Sequence, residues 1–277
     1  MLNYNSELLN TEDFEISSKN RAFKYGDAIF ETLKVIGHRI VFCEDHYFRL
    51  MASMRMLRME IPMGFTLEFL EQEILKTVQA QKVAKEFRVR LSVYRKDGGL
   101  YLPETNQVDF LIEVAPNTYK NKESYTVDLF KDFYNFSGLL STIKTTNRML
   151  NTLSSIYMKE NELDNCILIN ERKGVVEAIN ANIFVVKGNV LKTPALTEGC
   201  IKGIVRKKII EMLEKSTEFT VEETAISPFE LQKADELFLT NTIIGIQPVT
   251  NYRKKTFQTE IGERLRANLK IQQLLGS

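Results

Sequence analysis

The sequence predicts an α+β fold. Segments with strand-like alternation and segments with apolar residues at helical spacing are interspersed along all 277 residues, in two unequal halves. We find neither an internal repeat nor a low-complexity tract. The 6 Pro and 13 Gly are too few for long disordered or collagen-like stretches. A chain of this length can bury a sizeable core without disulfides or metal ions.

The first half of the chain predicts strands and two helices. Residues 28–35 and 39–42 predict strands on either side of a turn at Gly37. Apolar residues at helical spacing predict helices over 45–59 and 66–81. In the first of these helices, the predicted core positions are Phe48, Met51, Ala52, Met54 and Met59.

A further strand is predicted over residues 87–94, because its side chains alternate between two faces. One face carries Arg88, Arg90, Ser92 and Tyr94, and the other carries Val89, Leu91 and Val93. Gly98 and Gly99 then predict a loop, and residues 108–114 predict another strand.

A polar segment predicts the domain boundary. Residues 116–121 (PNTYKN) favour turns, so we expect an N-terminal domain over 1–115, a linker over 116–121 and a C-terminal domain over 122–277. The strands predicted in the second domain cover 125–130, 166–170, 175 onward, 183–186, 190–191, 219–223 and 237–240. The predicted helices cover 147–161 and 204–215.

Charge and cysteine content exclude several classes of protein. Lys plus Arg total 37 and Asp plus Glu total 36, and this balance argues against nucleic acid as the main partner. Cys43, Cys166 and Cys200 lie far apart, so we expect no disulfide framework and a reducing, cytoplasmic location. Two histidines, His38 and His46, are too few for a His-rich metal site. We expect no signal peptide and no membrane-spanning segment.

Several common catalytic signatures are missing from the sequence. No G-x-G-x-x-G follows a strand, and no G-x-x-x-x-G-K-[ST] occurs. H-E-x-x-H and G-x-S-x-G are also absent. Nicotinamide, nucleoside triphosphate, zinc-protease and hydrolase interpretations therefore lose their usual support.

Four segments stand out together by their order and spacing. They are residues 21–35 (RAFKYGDAIFETLKV), 141–155 (STIKTTNRMLNTLSS), 171–206 and 234–249 (ADELFLTNTIIGIQPV). In this register they resemble the class IV aminotransferase family, the fold-type IV pyridoxal-phosphate enzymes. That family includes branched-chain aminotransferase, D-amino acid transaminase and aminodeoxychorismate lyase.

The resemblance covers most of the chain and implies a fold, a cofactor and an assembly. The implied fold has a smaller N-terminal α/β domain and a larger C-terminal domain with a barrel-like β core. The implied cofactor is pyridoxal 5'-phosphate. The family also implies a homodimer that acts on small-molecule substrates, with the active site near the subunit interface.

The same resemblance assigns the catalytic lysine and the partner of the pyridine ring. Lys144 corresponds to the lysine that carries the cofactor, although its local pattern alone would leave it one lysine among many. Glu177 corresponds to the carboxylate that keeps the pyridine nitrogen protonated. Asn180 and Asn182 occupy positions of small polar residues, and we expect them to hold backbone turns.

Four further residues are expected to bind the cofactor phosphate. Gly203 precedes a predicted helix, and the N-terminus of such a helix is suited to bind an anion. The resemblance assigns this role to the N–H groups of Ile204 and Val205. The resemblance adds the hydroxyl of Thr242 and the guanidinium of Arg49, which suits a phosphate better than a lysine would.

Two residues are expected to contact the substrate. Tyr25 matches an aromatic position beside the substrate in branched-chain aminotransferase, and Arg90 matches a pocket arginine of that enzyme. On its strand face Arg90 suits an α-carboxylate, although a structural ion pair with a nearby acid fits the sequence equally well.

Departures from the family pattern leave the subfamily open. Met149 stands where branched-chain aminotransferases carry a tyrosine, and K-T-T-N-R instead resembles some aminodeoxychorismate lyases. The Arg-x-His pair of D-amino acid transaminases has no match at residues 100–102. An aminotransferase is therefore the main hypothesis. A lyase that releases pyruvate and 4-aminobenzoate from aminodeoxychorismate is the alternative, and a non-enzymatic protein with the same fold is a third.

Overall fold

The computed structural model describes residues 1–82 and 84–275 and divides the chain into two compact units. Unit 1 comprises Met1–Thr118 and Lys144–Asn147, and unit 2 comprises Tyr119–Ile143 and Arg148–Ser277. The sequence predicts a second domain that comprises residues 122–277 without interruption. The segment Lys144–Asn147 instead lies in unit 1, because Thr145 forms a β-bridge with Ile29.

In the described part of unit 1, six strands form one sheet in the order β2-β1-β6-β5-β3-β4. The strands are β1 (Leu2–Tyr4), β2 (Glu7–Leu9), β3 (Ala28–Ile36), β4 (Arg39–Ile40), β5 (Glu86–Arg95) and β6 (Val108–Pro116). Every pairing in this sheet is antiparallel, and β3 lies against β5 over its whole length. The strands predicted over 28–35, 87–94 and 108–114 are confirmed.

The core of unit 1 forms where helices cover one face of this sheet. Its helices are α1 (Arg21–Tyr25), α2 (Cys43–Met56) and α3 (Leu67–Gln79). The buried side chains of β3 and β5 pack with Met54 of α2 and Ile74 of α3 in one apolar cluster. Thr66 begins α3 by accepting a hydrogen bond from the Phe69 N–H, which is a standard N-terminal cap.

Two details of the prediction for this region are wrong. The strand predicted over 39–42 ends at Ile40, because Phe42 adopts a left-handed backbone (φ 54°) and α2 begins at the next residue. Phe48 and Ala52 are exposed instead of buried. The buried face of α2 includes His46, Leu50 and Met54, and Phe48 and Ala52 lie on the opposite side of the helix.

The described part of unit 2 contains two five-stranded sheets, in the orders β12-β11-β10-β13-β14 and β16-β15-β7-β8-β9. The strands are β7 (Thr126–Asn135), β8 (Asn165–Asn170), β9 (Val175–Ala178), β10 (Asn182–Lys187), β11 (Val190–Pro194), β12 (Thr220–Thr224), β13 (Glu236–Asn241), β14 (Gly245–Val249), β15 (Asn251–Tyr252) and β16 (Lys255–Thr256). The predicted hairpin at residues 188–189 joins β10 to β11 and is confirmed.

The helices of unit 2 are α4 (Met149–Glu160), α5 (Ile204–Glu214), α6 (Pro228–Lys233) and α7 (Glu260–Leu275). All residues of β8 are buried, and its Ile167 and Ile169 belong to the main apolar cluster of this unit. Helix α5 begins directly after Gly203, as predicted. Helix α4 begins at Met149, two residues later than predicted, because Asn147 belongs to unit 1.

Within the described residues, no helix combines the length and apolar character needed to span a bilayer. Among the same described residues, no group of three or more His, Cys, Asp or Glu side chains is arranged to hold a metal ion. The three cysteines are unbonded thiols, and burial raises the pKa of each to about 12.

Candidate active site

In unit 1, the predicted catalytic lysine is attached to the beginning of β3. The carbonyl of Lys144 accepts a hydrogen bond from the Phe30 N–H at 2.8 Å, and Thr145 bridges to Ile29. Residues Lys144–Asn147, the lysine segment, therefore add a short antiparallel stretch to β3. This pairing restricts the position of the Lys144 Cα.

The aromatic ring of Phe30 contacts both Lys144 and Arg90. The Lys144 Nζ lies 4.5 Å from the ring centroid, and the guanidinium carbon of Arg90 lies 3.8 Å from it. Both distances are within the range of a cation–π interaction. Arg90 Nε is 3.9 Å from a carboxylate oxygen of Glu113, and this ion pair is partly exposed. The predicted substrate arginine and the predicted lysine thus contact the same aromatic ring.

The predicted phosphate arginine, Arg49, is held by a buried carboxylate. Its Nε donates to Glu31 Oε1 at 2.7 Å, and its Nη2 donates to the other carboxylate oxygen. His46 Nδ1 lies 2.7 Å from Glu31 Oε2. Burial by itself would raise the pKa of Glu31, but the charge of Arg49 and the hydrogen bonds of Arg49 and His46 hold that pKa at about 2. Burial also lowers the pKa of His46.

Sequence reasoning missed Glu31 and His46, although a signal for Glu31 was present. In the strand over 28–36, the alternation that buries Ile29 and Leu33 also buries Glu31. A carboxylate at a core position requires a cationic or hydrogen-bonding partner. Arg49 and His46 are one helical turn apart on α2, so they can both reach it.

The predicted substrate residue Tyr25 lies beside the loop that follows β5. Its ring centroid is 5.7 Å from that of Tyr101, and the guanidinium of Arg21 lies 5.0 Å from the Tyr25 ring. The buried Arg21 also donates hydrogen bonds to the carbonyl of Gly98 at 2.9 Å and to that of Leu100 at 2.6 Å. These hydrogen bonds from Arg21 therefore hold the loop in place. The sequence reasoning did not single out Arg21.

In unit 2, Glu177 is a buried carboxylate directed at the loop before α5. Its Oε2 accepts a hydrogen bond from the Ile201 N–H at 2.9 Å. Arg148 donates to the carbonyl of Ile143 at 3.1 Å. Burial lowers the pKa of Arg148, whereas the charge of Glu177 raises it. An acid and a cation therefore interact at this point of unit 2.

The beginning of α5 has the features of an anion site. Gly203 is the residue before the helix and has no side chain to cap it, so no side chain of that residue competes for the first N–H groups. Asn182 holds the preceding loop by donating to the carbonyl of Ile201 at 2.8 Å. A Cβ at residue 203 would lie 1.9 Å from Asn182 Oδ1, so the two residues are tightly fitted. The N–H groups of Ile204 and Val205 belong to this first turn.

Thr242 lies in the turn between β13 and β14. The turn is held by Asn241, whose side-chain oxygen accepts from the N–H groups of Ile243 and Ile244. On β13, Thr240 lies directly opposite Asn182 of β10. Asn182 therefore connects the strand that leads to Thr242 with the loop that leads to α5.

The predicted site residues thus form two sets. Unit 1 carries Lys144, Arg90, Arg49 and Tyr25, and the first two share one aromatic ring. Unit 2 carries Glu177, Ile204, Val205 and Thr242, which are connected through Ile201 and Asn182. An amine, a buried carboxylate and an uncapped helix N-terminus are the groups that a phosphorylated pyridine aldehyde requires.

Comparisons with known proteins identify the family of the chain. The family model described as amino-transferase class IV matches residues 28–252. The chain is 27% identical over 276 residues to a probable branched-chain-amino-acid aminotransferase of Aquifex aeolicus, which covers 94% of this chain and 86% of that one.

Solved structures have the same fold. The branched-chain aminotransferase of Thermoproteus uzoniensis, crystallised with norvaline, superposes with a TM-score of 0.91 at 22% identity and covers 100% of this chain and 95% of that chain. The branched-chain amino acid aminotransferase of Thermobaculum terrenum, in its PLP form, gives a TM-score of 0.86 at 21% identity and covers 100% and 94%. At this level of identity the likeness establishes the mixed α and β fold.

Proposed function

Because the chain belongs to the class IV aminotransferase family, we propose that it uses pyridoxal 5'-phosphate to transfer an amino group between an amino acid and a 2-oxo acid. The observation that carries this proposal is that Lys144 Nζ and the guanidinium of Arg90 both contact the ring of Phe30. An amine and a carboxylate-binding group are the two features that an amino-acid substrate requires.

The cofactor supplies a conjugated ring that stabilises negative charge at the substrate α-carbon. Lys144 would attach the cofactor through its Nζ and, once released, carry the α-proton. Because β3 holds the backbone of Lys144, the amine of this residue would approach the substrate from a restricted direction.

Glu177 would hold a proton on the pyridine nitrogen. Its carboxylate is buried, and the Ile201 N–H donates a hydrogen bond to one of its oxygens. In a buried site, a fixed negative charge favours the protonated ring nitrogen far more than it would in water.

The phosphate would be bound by uncharged hydrogen-bond donors and by a positively charged side chain. Ile204 and Val205 offer main-chain N–H groups at the start of α5, and Thr242 offers a hydroxyl. Arg49 adds a guanidinium whose orientation is set by Glu31. Arg90 would receive the substrate α-carboxylate, with Tyr25 as an aromatic wall of the substrate site.

A substrate panel tests the proposed reaction. Purified protein with pyridoxal 5'-phosphate is incubated with L- and D-amino acids and 2-oxo acids, and the new amino acid is quantified. We expect amino-group transfer for at least one pair. Release of pyruvate from aminodeoxychorismate without any transfer would instead support the lyase.

A chemical mapping experiment tests the lysine. Borohydride reduction followed by peptide mapping should place the pyridoxyl group on Lys144, and Lys144→Ala should abolish turnover. Lys187→Ala is the control, because that lysine of unit 2 is exposed and pairs with Asp235. Modification of another lysine, or turnover by Lys144→Ala, would contradict the assignment.

Family membership also supports an assembly and a location. We propose a homodimer that acts on small molecules and uses neither nucleic acid nor a membrane as a partner. The three widely spaced cysteines support a reducing cytoplasmic location.

A further inference from the structure

The carbonyl of Gly26 is an unusually crowded acceptor at the base of the lysine segment. It accepts hydrogen bonds from the Ala28 N–H at 2.8 Å, from Thr146 Oγ1 at 3.1 Å and from Asn147 Nδ2 at 3.2 Å. Two of these three donors are side chains that follow Lys144. The end of α1 therefore provides a fixed point for the lysine segment.

Gly26 fits this position for two independent reasons. It ends α1 in a left-handed conformation (φ 62°), with its N–H bound to the carbonyl of Ala22 at 3.0 Å. This conformation favours glycine. In addition, a Cβ at residue 26 would lie 2.3 Å from Asn147 Oδ1, a distance that real Cβ atoms do not show. The Asn147 side chain thus occupies the space that glycine leaves open.

The lysine segment needs such an attachment because of its length. The four residues Lys144–Asn147 belong to unit 1, whereas Ile143 and Arg148 on either side belong to unit 2. Chain connectivity therefore does not keep the segment on β3. Its backbone is held at one end by the Phe30 N–H on the Lys144 carbonyl and next by the Thr146 N–H on the Ala28 carbonyl at 3.0 Å. Asn147 holds the other end.

We propose that Gly26 and Asn147 form a clasp that positions the amine of Lys144. Both are positioning residues, because they act on the reaction only through Lys144. The inference rests on the proposed function in that Lys144 is taken as the lysine that carries the cofactor. The physical basis is that small displacements of a reacting group lower the rate strongly. A long, flexible lysine side chain is directed mainly by where its Cα is held.

Three variants of the full chain test the clasp. Asn147→Ala removes the amide, and Gly26→Ala adds a Cβ against it. Gly37→Ala is the matched control, because Gly37 has nearly the same φ (59°) but nothing within 4 Å of its Cβ position. Gly37→Ala therefore reports the backbone strain alone.

The holoenzyme is examined by turnover and by pH titration of the absorbance of the bound cofactor. We expect Asn147→Ala to lower kcat about three- to tenfold, as for loss of one uncharged hydrogen bond, with little change in KM. The midpoint of the absorbance titration should shift. Gly26→Ala should have larger effects of the same kind, and Gly37→Ala should match the wild type in both measurements.

A double variant tests whether the two single substitutions act through the contact between residues 26 and 147 or independently of each other. In Gly26→Ala/Asn147→Ala the added Cβ no longer meets the amide, so the loss of kcat should be smaller than the product of the two single losses. Strict multiplication of the single effects would contradict the clasp. Loss of stability in Asn147→Ala with an unchanged titration and kcat would also overturn it, because a merely structural contact would behave in that way.

A readout without cofactor distinguishes failure of the clasp from failure of the proposed function. The cofactor-free full chain is labelled with trinitrobenzenesulfonate, and the modification rates of Lys144 and Lys187 are compared by mass spectrometry. We expect Asn147→Ala to change the rate at Lys144 at least about threefold and to leave Lys187 unchanged, by the same hydrogen-bond estimate. An unchanged Lys144 rate would overturn the clasp whether or not the protein is an aminotransferase.

Discussion

Glu31 is a carboxylate in the core of unit 1, and its ionisation ties the stability of the protein to pH. Its folded-state pKa of about 2 lies below the ordinary value of 4.5, because Arg49 and His46 outweigh the effect of burial. A lowered pKa means that the stabilisation is complete above pH 4.5 and is lost as the pH falls through about 2. The shift corresponds to a stabilisation on the order of 3 kcal/mol.

We therefore expect the free energy of unfolding to fall as the pH is lowered from 4.5 towards 2. Denaturant titrations across this range measure the slope. Glu31→Gln/Arg49→Met replaces the pair without leaving a buried charge and should have a clearly smaller slope. Glu86→Gln is the control, because that carboxylate is partly exposed and pairs with Lys34. An equal slope in the double variant and the wild type would contradict the assignment.

Glu177 offers a test that separates charge from shape. Glu177→Gln keeps an oxygen that can accept the Ile201 N–H, but it removes the charge proposed to hold the pyridine nitrogen protonated. We expect turnover per cofactor-loaded site to fall about a hundredfold or more, while cofactor affinity falls much less. The measurement is kcat normalised to bound cofactor. A rate within about twofold of the wild type would exclude the electronic role.

At the scale of single elements, the start of α5 depends on the fit of Gly203 against Asn182. Gly203→Ala places a Cβ 1.9 Å from Asn182 Oδ1, so the amide must move and release the Ile201 carbonyl. We expect the affinity for pyridoxal 5'-phosphate to fall at least about tenfold, or about 1.4 kcal/mol. Equilibrium dialysis measures this affinity.

Gly64→Ala is the matched control for Gly203→Ala. Neither glycine has a positive φ, and a Cβ at residue 64 meets nothing within 4 Å. The control should bind cofactor as the wild type does. Equal affinities for all three proteins would show that α5 binds no phosphate.

The elements themselves were predictable where one face is buried and one is not. Alternation identified β3, β5 and β6, because each has its core side chains at every second residue. Short strands such as β1 and β2 were missed, since three residues carry too little pattern. Helix α6 was missed although Ser227 and Glu230 form a complete capping box at its start.

At the scale of the whole molecule, exposed apolar side chains bear on the oligomeric state. In unit 2, Phe136, Leu139 and Leu140 lie close together in sequence and are 73%, 69% and 62% exposed. In unit 1, Tyr101 and Leu102 are exposed to a similar degree. Exposed apolar groups of this kind mark interaction surfaces.

We therefore expect light scattering to give about twice the chain mass of 32.0 kDa. Leu139→Asp/Leu140→Asp should shift the protein towards the monomer, because two charges would be buried at the interface. Met63→Asp is the control, since Met63 is fully exposed on a separate loop of unit 1. A wild-type mass near 32.0 kDa at all concentrations would contradict the proposed homodimer.

The sequence by itself determined the fold class and the family. Local periodicity and turn residues are properties of neighbouring positions, so they can be recognised without a structure. The motif residues Lys144, Glu177 and Arg49 were recognisable for a related reason, because their surrounding segments resemble those of a known family in order and spacing.

Only the tertiary structure decided how these residues are held. Arg49 is oriented by Glu31, which lies 18 positions away, and Asn147 is docked on Gly26, 121 positions away. The segment Lys144–Asn147 also lies in unit 1, although the chain on either side belongs to unit 2. Contacts over such separations depend on how strands and helices pack together. That packing is not specified by the local pattern of residues from which strands and helices were predicted.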